Sequence, residues 1–252
     1  MQAELIAGVT FPALVLIWVG TIGAAVLRAF TGFGFALAAV PIFSLFLSPG
    51  QAVVLSACLS LALGVQTYPQ YAHHLNLSLQ WPVFASAILA MPAGIVLLTA
   101  MESAQFQLAI GIVTVASAVF LSRFHPRPHA PGWLPRLGAG SASGLCNGAF
   151  AIPGPPIIVY IMATEADPGR SRAFMIGFFS ITSLFVLIGF ALAGLVSLQS
   201  LWLFLLVFPA MFIGDRLGYR LFRQYGGGVY RKVSIAALLL LGISIGLKGW
   251  LG

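Results

Sequence analysis

The sequence predicts an all-α polytopic membrane protein made of two inverted-topology repeats, each a broken hydrophobic segment pair followed by three transmembrane helices. Three observations carry this reading. First, only 7% of the 252 residues are charged and 60% are hydrophobic, with a mean hydropathy of +1.03; a soluble domain carries about 25% charged residues, so there is too little charge here to cover a water-facing surface. Second, apolar segments recur from one end of the chain to the other. Third, a glycine-rich break interrupts the series at the same place in each half, Gly34…Pro41 and Gly148…Pro155, at a constant offset.

Taken in order, the first apolar segment is 9–27. We expect it not to be a cleaved leader, because residues 1–27 contain Glu4 and no Lys or Arg, and so lack the basic start of a signal peptide. Arg28-Ala29-Phe30-Thr31-Gly32-Phe33-Gly34-Phe35 then separates it from a short segment, 35–47. Glycine frees the backbone there and Pro41 limits helical continuity downstream. Broken backbone at membrane depth is tolerated only where protein or a water-filled cavity satisfies it. Segments 51–70, 81–100 and 105–122 follow and complete a first repeat, 1–122. A polar linker, 123–133, leads to a second repeat, 134–252, with segments 134–149, 151–164, 172–196, 200–214 (extending toward 222) and 232–250. Three prolines, Pro153, Pro155 and Pro156, remove backbone donors in the second break and argue against a regular helix there. Interrupted segments at corresponding positions of two halves are the best sequence pointer to a secondary transporter's binding site.

Charge sets the topology. With every segment crossing and the N-terminus outside, Arg28, Arg123, Arg127, Arg136, Arg170, Arg172, Arg216, Arg220, Arg223, Arg231 and Lys232 fall on the inside, and of the twelve basic residues only Lys248 faces out. This is a strong positive-inside pattern. Eight crossings, with the two broken pairs re-entrant, give the same sidedness as ten, and both leave the halves inverted. Both termini then lie on the outer side of the membrane.

The same observations exclude other classes. A net charge of +7 lies between apolar runs, which fits topology rather than nucleic acid. Cys58 and Cys146 read as small buried hydrophobes, and His73 and His74 have no further ligand type near them. There is no phosphate-binding loop, CxxC, HExxH or GxSxG motif, and Gly32-Phe33-Gly34 lacks the third glycine of a dinucleotide fingerprint. We expect no enzyme activity, no cofactor and no metal.

The candidate substrate-binding residues are Arg28, Thr31, Gly32 and Gly34 in the first break and Asn147, Gly148 and Gly154 in the second. N–H groups at a half-helix start, helped by the helix dipole, suit an anion, and Asn147 is a polar group that must find a partner. Phe35, Gln66, Tyr68, Phe150 and Pro155 are candidate pocket-lining residues. Each has a plainer reading: Arg28 as a positive-inside anchor, the glycines as helix-packing devices, Tyr68 as an interfacial residue. No carboxylate lies inside a segment, since Glu4, Glu102, Glu165 and Asp167 are terminal and Asp215 follows the ninth; a proton-coupled pump usually keeps one in the membrane. The partners expected are a small anion and the lipid bilayer. The coupling ion and the oligomeric state, a homo-oligomer included, are left open.

In these motifs the chain resembles the sulfite exporter TauE/SafE family of bacterial membrane transporters. The residues concerned are Gly32-Phe33-Gly34-Phe35…Val40-Pro41, Gly148-Ala149-Phe150-Ala151-Ile152-Pro153-Gly154-Pro155-Pro156 running into Ile157-Ile158-Val159-Tyr160, and Phe212-Ile213-Gly214-Asp215-Arg216-Leu217-Gly218. Glycines common in the family's two breaks are replaced here by Phe35, Ala36, Ala151 and Pro153. The resemblance implies a carrier of sulfur-containing anions such as sulfite or organosulfonates. A non-transporting membrane scaffold or accessory subunit, and an anion channel, are the alternatives.

Overall fold

A computed structural model describes residues 5–6, 8–31, 34–71, 77–123, 132–165, 167–225 and 227–251. Ten helices occupy the ten apolar segments: α1 (Phe11–Thr31), α2 (Phe35–Phe43), α3 (Pro49–Tyr71), α4 (Leu77–Ala100), α5 (Ser103–Arg123), α6 (Trp133–Phe150), α7 (Gly154–Thr164), α8 (Pro168–Leu192), α9 (Leu198–Tyr225) and α10 (Gly227–Leu251). A small antiparallel hairpin, β1 (Leu5–Ile6) and β2 (Val9–Thr10), precedes them and was not expected. Among the described residues six helices, α1, α3, α4, α5, α8 and α9, are long and apolar enough to cross a membrane. Their outward faces carry side chains such as Leu89, Leu192 and Leu198, 71–85% exposed, which suits lipid rather than water.

The two short helices are half-length. At 1.5 Å per residue α2 is about 14 Å long and α7 about 17 Å, against a hydrocarbon core of about 30 Å. Yet α2 and its exit turn still carry the chain between the two ends of the bundle. At one end Arg28, in the last turn of α1, bonds Thr67 near the end of α3 (3.0 Å). At the other end the Gln107 amide, early in α5, donates to the Ser44 carbonyl just after α2 (2.7 Å), and Lys248 Nζ reaches the Leu45 carbonyl (3.5 Å).

Helix pairs are drawn together by glycines. Gly140, Gly144 and Gly148 lie one turn apart on α6, and a Cβ at each would meet the Val83, Ala87 and Met91 carbonyls of α4 at 2.4, 2.0 and 2.2 Å. The matched numbering makes these helices parallel. Gly214 and Gly218 of α9 meet Ile22, Ala25, Val26 and Ala29 of α1 in the same parallel sense. Gly111, Gly242 and Gly249 bring α5 and α10 together antiparallel, and α3 packs on α8. Such small-residue contacts suit a medium in which tails are as apolar as side chains and close van der Waals approach holds helices together. A cluster of aromatic rings, Phe84, Phe174 and Phe178, joins α4 to α8. Some buried hydroxyls in the long helices are absorbed by the preceding turn, as in Thr182 to Phe178 O (2.7 Å) and Thr21 to Ile17 O (2.7 Å).

Two details differ from the sequence expectation. Pro155 and Pro156 do not prevent a helix: they occupy the first turn of α7, where a missing N–H costs no intrahelical bond. Asp215 does not follow the ninth segment but lies within α9, which runs ten residues further.

Candidate functional site

The two chain breaks meet at one cavity. In the first, Gly34 caps α2 in a left-handed conformation (φ 92°), which glycine adopts freely and an L side chain only at about 1–2 kcal/mol. In the second, α6 closes on Ala151, itself left-handed (φ 53°), whose N–H donates to the Asn147 carbonyl (2.8 Å). The Ser143 hydroxyl donates to the Pro153 carbonyl and so pins the turn into α7.

Gly34, Phe35, Ala36 and Leu37 from the first break face Ile152, Pro153 and Gly154 from the second across a narrow cavity of about 40 Å³. Ser60 and Gly64 of α3, Ser180 and Ser183 of α8, and Arg28 complete its wall. That volume admits about three waters. The first turn of α2 holds three N–H groups without intrahelical partners, those of Phe35, Ala36 and Leu37, because its first helical bond runs from Ala38 to Gly34 (3.2 Å). The first turn of α7 is poorer in donors, since two of its first three residues are proline. Donor strength at this cavity is therefore lopsided toward α2.

A wider vestibule of about 320 Å³ adjoins it, lined by Arg28, Gln66, Thr67, Arg172, Asp215, Arg216, Tyr219 and Arg220. Arg28 and Ile176 line both spaces. Four arginines against one carboxylate give the vestibule a positive field that concentrates anions.

Arg28 is 8% exposed and held by several groups. Its Nη1 donates to Asp215 Oδ1 (3.1 Å), and its Nη2 to Thr67 Oγ1 (3.0 Å) and the Leu63 carbonyl (3.5 Å). The other carboxylate oxygen of Asp215, Oδ2, accepts from Gln66 Nε2 (3.0 Å). Arg172 Nη2 donates to the Ala29 carbonyl at the end of α1 (3.3 Å), a position where a cation also meets the negative end of the helix dipole. Arg216 stacks on Phe212 (4.3 Å to the ring centroid).

The candidates named from the sequence thus divide. Arg28, Gly34, Phe35 and Gly154 line the narrow cavity, and Gln66 lines the vestibule. Asn147 is buried and donates from Nδ2 to the Thr182 carbonyl (3.2 Å), tying α6 to α8; it is not among the lining residues of either cavity. Gly148 packs against the α4 backbone, and Phe150 lies against Phe106 (5.7 Å between centroids). Pro155 sits half-buried one residue beyond the lining, and Tyr68 is exposed on the outside of α3. Thr31 ends α1, but its side chain is outside the described residues, as are Gly32, Phe33, His73 and His74. Sequence reasoning missed Ser60, Ser180 and Ser183 as wall residues; the signal available was a hydroxyl inside a long apolar run. It also missed Asp215 as the partner of Arg28. Among the described residues no group of three or more His, Cys, Asp and Glu gathers to hold a metal.

The family model described as sulfite exporter TauE/SafE matches residues 16–245. No curated protein and no solved structure matches the chain.

Proposed function

Since the chain belongs to the sulfite exporter TauE/SafE family, we propose that it is a secondary transporter carrying a small sulfur-containing anion, sulfite or an organosulfonate, across the bacterial inner membrane. The observation that best supports this is the convergence of both chain breaks and a buried arginine on one cavity, behind a vestibule lined by four arginines. An anion entering the vestibule is drawn by its field, reaches Arg28, and then meets the free N–H groups of Phe35, Ala36 and Leu37 at the start of α2. Gly34 and Gly154 let the two short helices approach it, Phe35 supplies an apolar wall, and Asn147 holds α6 and α8 around it. A scaffold has no use for a polar space at this place.

Helix pairing supports the inverted repeats. Exchanging each helix for the one five later turns the pair α1 and α9 into α6 and α4, and maps α3 with α8, and α5 with α10, onto themselves. We take residues 1–122 and 134–252 as the two repeats, with the arginine-lined vestibule on the cytoplasmic side and both termini periplasmic.

The test is counterflow in proteoliposomes with labelled sulfite, sulfoacetate and taurine. Exchange stimulated by substrate on the far side is the expected result and separates a carrier from a channel. Arg28→Ala should lower flux about 10- to 100-fold, as loss of a charged hydrogen bond of roughly 1.5–3 kcal/mol implies. No flux of any of the three sulfur compounds refutes exporter function for these substrates; full flux in Arg28→Ala refutes the site.

A further inference from the structure

We propose that Asp215 is an internal competitor of the transported anion: its carboxylate holds the place on Arg28 that the anion takes during transport, and yields that place by moving into the arginine-lined vestibule. This rests on the reading of the chain as an anion carrier. Arg28 and Ile176 are the lining residues common to the narrow cavity and the vestibule, so an anion passing from one to the other goes by the guanidinium. That guanidinium is already engaged by a carboxylate, the same kind of oxyanion, at 3.1 Å. The engagement is end-on rather than a two-pronged fork. One oxygen of Asp215 accepts from Arg28, while the other accepts from Gln66.

The surroundings favour exchange over a fixed strut. Asp215 lines the wider space together with Arg172, Arg216 and Arg220. A carboxylate leaving Arg28 therefore remains among cations instead of being stranded in apolar protein, where an unpaired charge is costly. Arg28, by contrast, is held in place by Thr67 and the Leu63 carbonyl whichever anion sits on it. Fixed cation, movable anion: the pairing keeps the buried charge of Arg28 compensated in the empty carrier and requires any occupant to be a better ligand than Asp215. The side chains concerned come from four helices, with Arg28 on α1, Gln66 and Thr67 on α3, Arg172 on α8, and Asp215, Arg216 and Arg220 on α9.

Asp215→Asn keeps the shape and removes the competing charge. In counterflow with sulfite, sulfoacetate and taurine, the half-saturating concentration of whichever anion the unsubstituted protein carries should fall about tenfold or more. Its maximal rate should fall as well, because release lacks the returning carboxylate. Without anion the purified variant should unfold at a lower temperature than the unsubstituted protein, and should recover more of that loss when the anion is added. Gln66→Ala removes the second hold on the carboxylate and leaves the ion pair, so its half-saturating concentration should move in the same direction by a smaller factor; it carries the test if Asp215→Asn does not fold. An unchanged or higher half-saturating concentration in the variant measured, with transport intact in the unsubstituted protein, overturns the competitor role and leaves the carrier reading standing. An unsubstituted protein that moves none of the three sulfur compounds overturns both.

Discussion

Gly144 offers the sharpest perturbation. A Cβ built there lies 2.0 Å from the Ala87 carbonyl oxygen and 2.7–2.8 Å from the Ala87 carbonyl carbon and Cα. All three are backbone atoms of α4, so no side chain can turn aside. Ordinary contact begins at 3.4 Å, which leaves Gly144→Ala about 1.4 Å short, and the gap is recovered only by separating α6 from α4. Gly140 and Gly148 sit on the same face one turn away with backbone neighbours at 2.4 and 2.2 Å, so the separation loosens the whole stripe. Overpacking of this kind costs roughly 1–3 kcal/mol, and the loss of neighbouring dispersion contacts brings the gross cost to about 3 kcal/mol. The intrinsic helical preference of Ala over Gly returns at most about 1 kcal/mol. We predict a net destabilisation of about 2 kcal/mol, read as a lower unfolding midpoint in detergent micelles or bicelles. Gly23→Ala is the matched control: Gly23 is exposed on α1 and nothing lies within 4 Å of its added Cβ, so it should be neutral or slightly stabilising. If Gly144→Ala unfolds no more easily than Gly23→Ala, the claim that these glycines set the helix spacing is wrong.

Three further outcomes are expected. Gly34→Ala forces an L side chain into a left-handed cap at φ 92°, costing about 1–2 kcal/mol, and should lower counterflow along with thermal stability. Thr67→Val is nearly isosteric but removes the hydroxyl that accepts from Arg28; about 1–2 kcal/mol of positioning is lost, and the half-saturating anion concentration should rise roughly tenfold while the fold persists. Ser143→Ala removes the hydroxyl that donates to the Pro153 carbonyl, which should cost about 1 kcal/mol and reduce maximal flux more than affinity, since the residue touches the turn rather than the cavity.

Much of the architecture was legible because each span is a nearly uncharged run between polar or proline-marked gaps. Segment 81–100, for example, lies within α4 and ends at the same residue. Asp215 was misplaced for a related reason. A hydropathy run is read as ending at its first charge, yet this charge is compensated inside the bundle by Arg28, 187 residues away in the chain. The tertiary contact accounts for the longer of the two ends read for that segment, toward 222. The two breaks were located from their glycines, but a glycine that breaks a helix and a glycine that lets two helices touch look alike in sequence. Gly34 is the first kind, recognisable by its positive φ, and Gly148 the second, recognisable by the Met91 carbonyl 2.2 Å from where its Cβ would stand. Which of the candidate pocket-lining residues of α3 faces inward was equally unreadable. Gln66 and Tyr68 are two residues apart, and one turns toward Asp215 while the other faces outward.

The parallel docking of α9 on α1 has a consequence for how the chain is made. α1 leaves the ribosome first, and the helix that packs along it emerges more than 180 residues later. Until then the Arg28 guanidinium has no Asp215, and α5 likewise waits for α10. The pairs α4 with α6 and α3 with α8 can close earlier, whereas a product truncated before α9 lacks the carboxylate that meets Arg28 at the end of its first span.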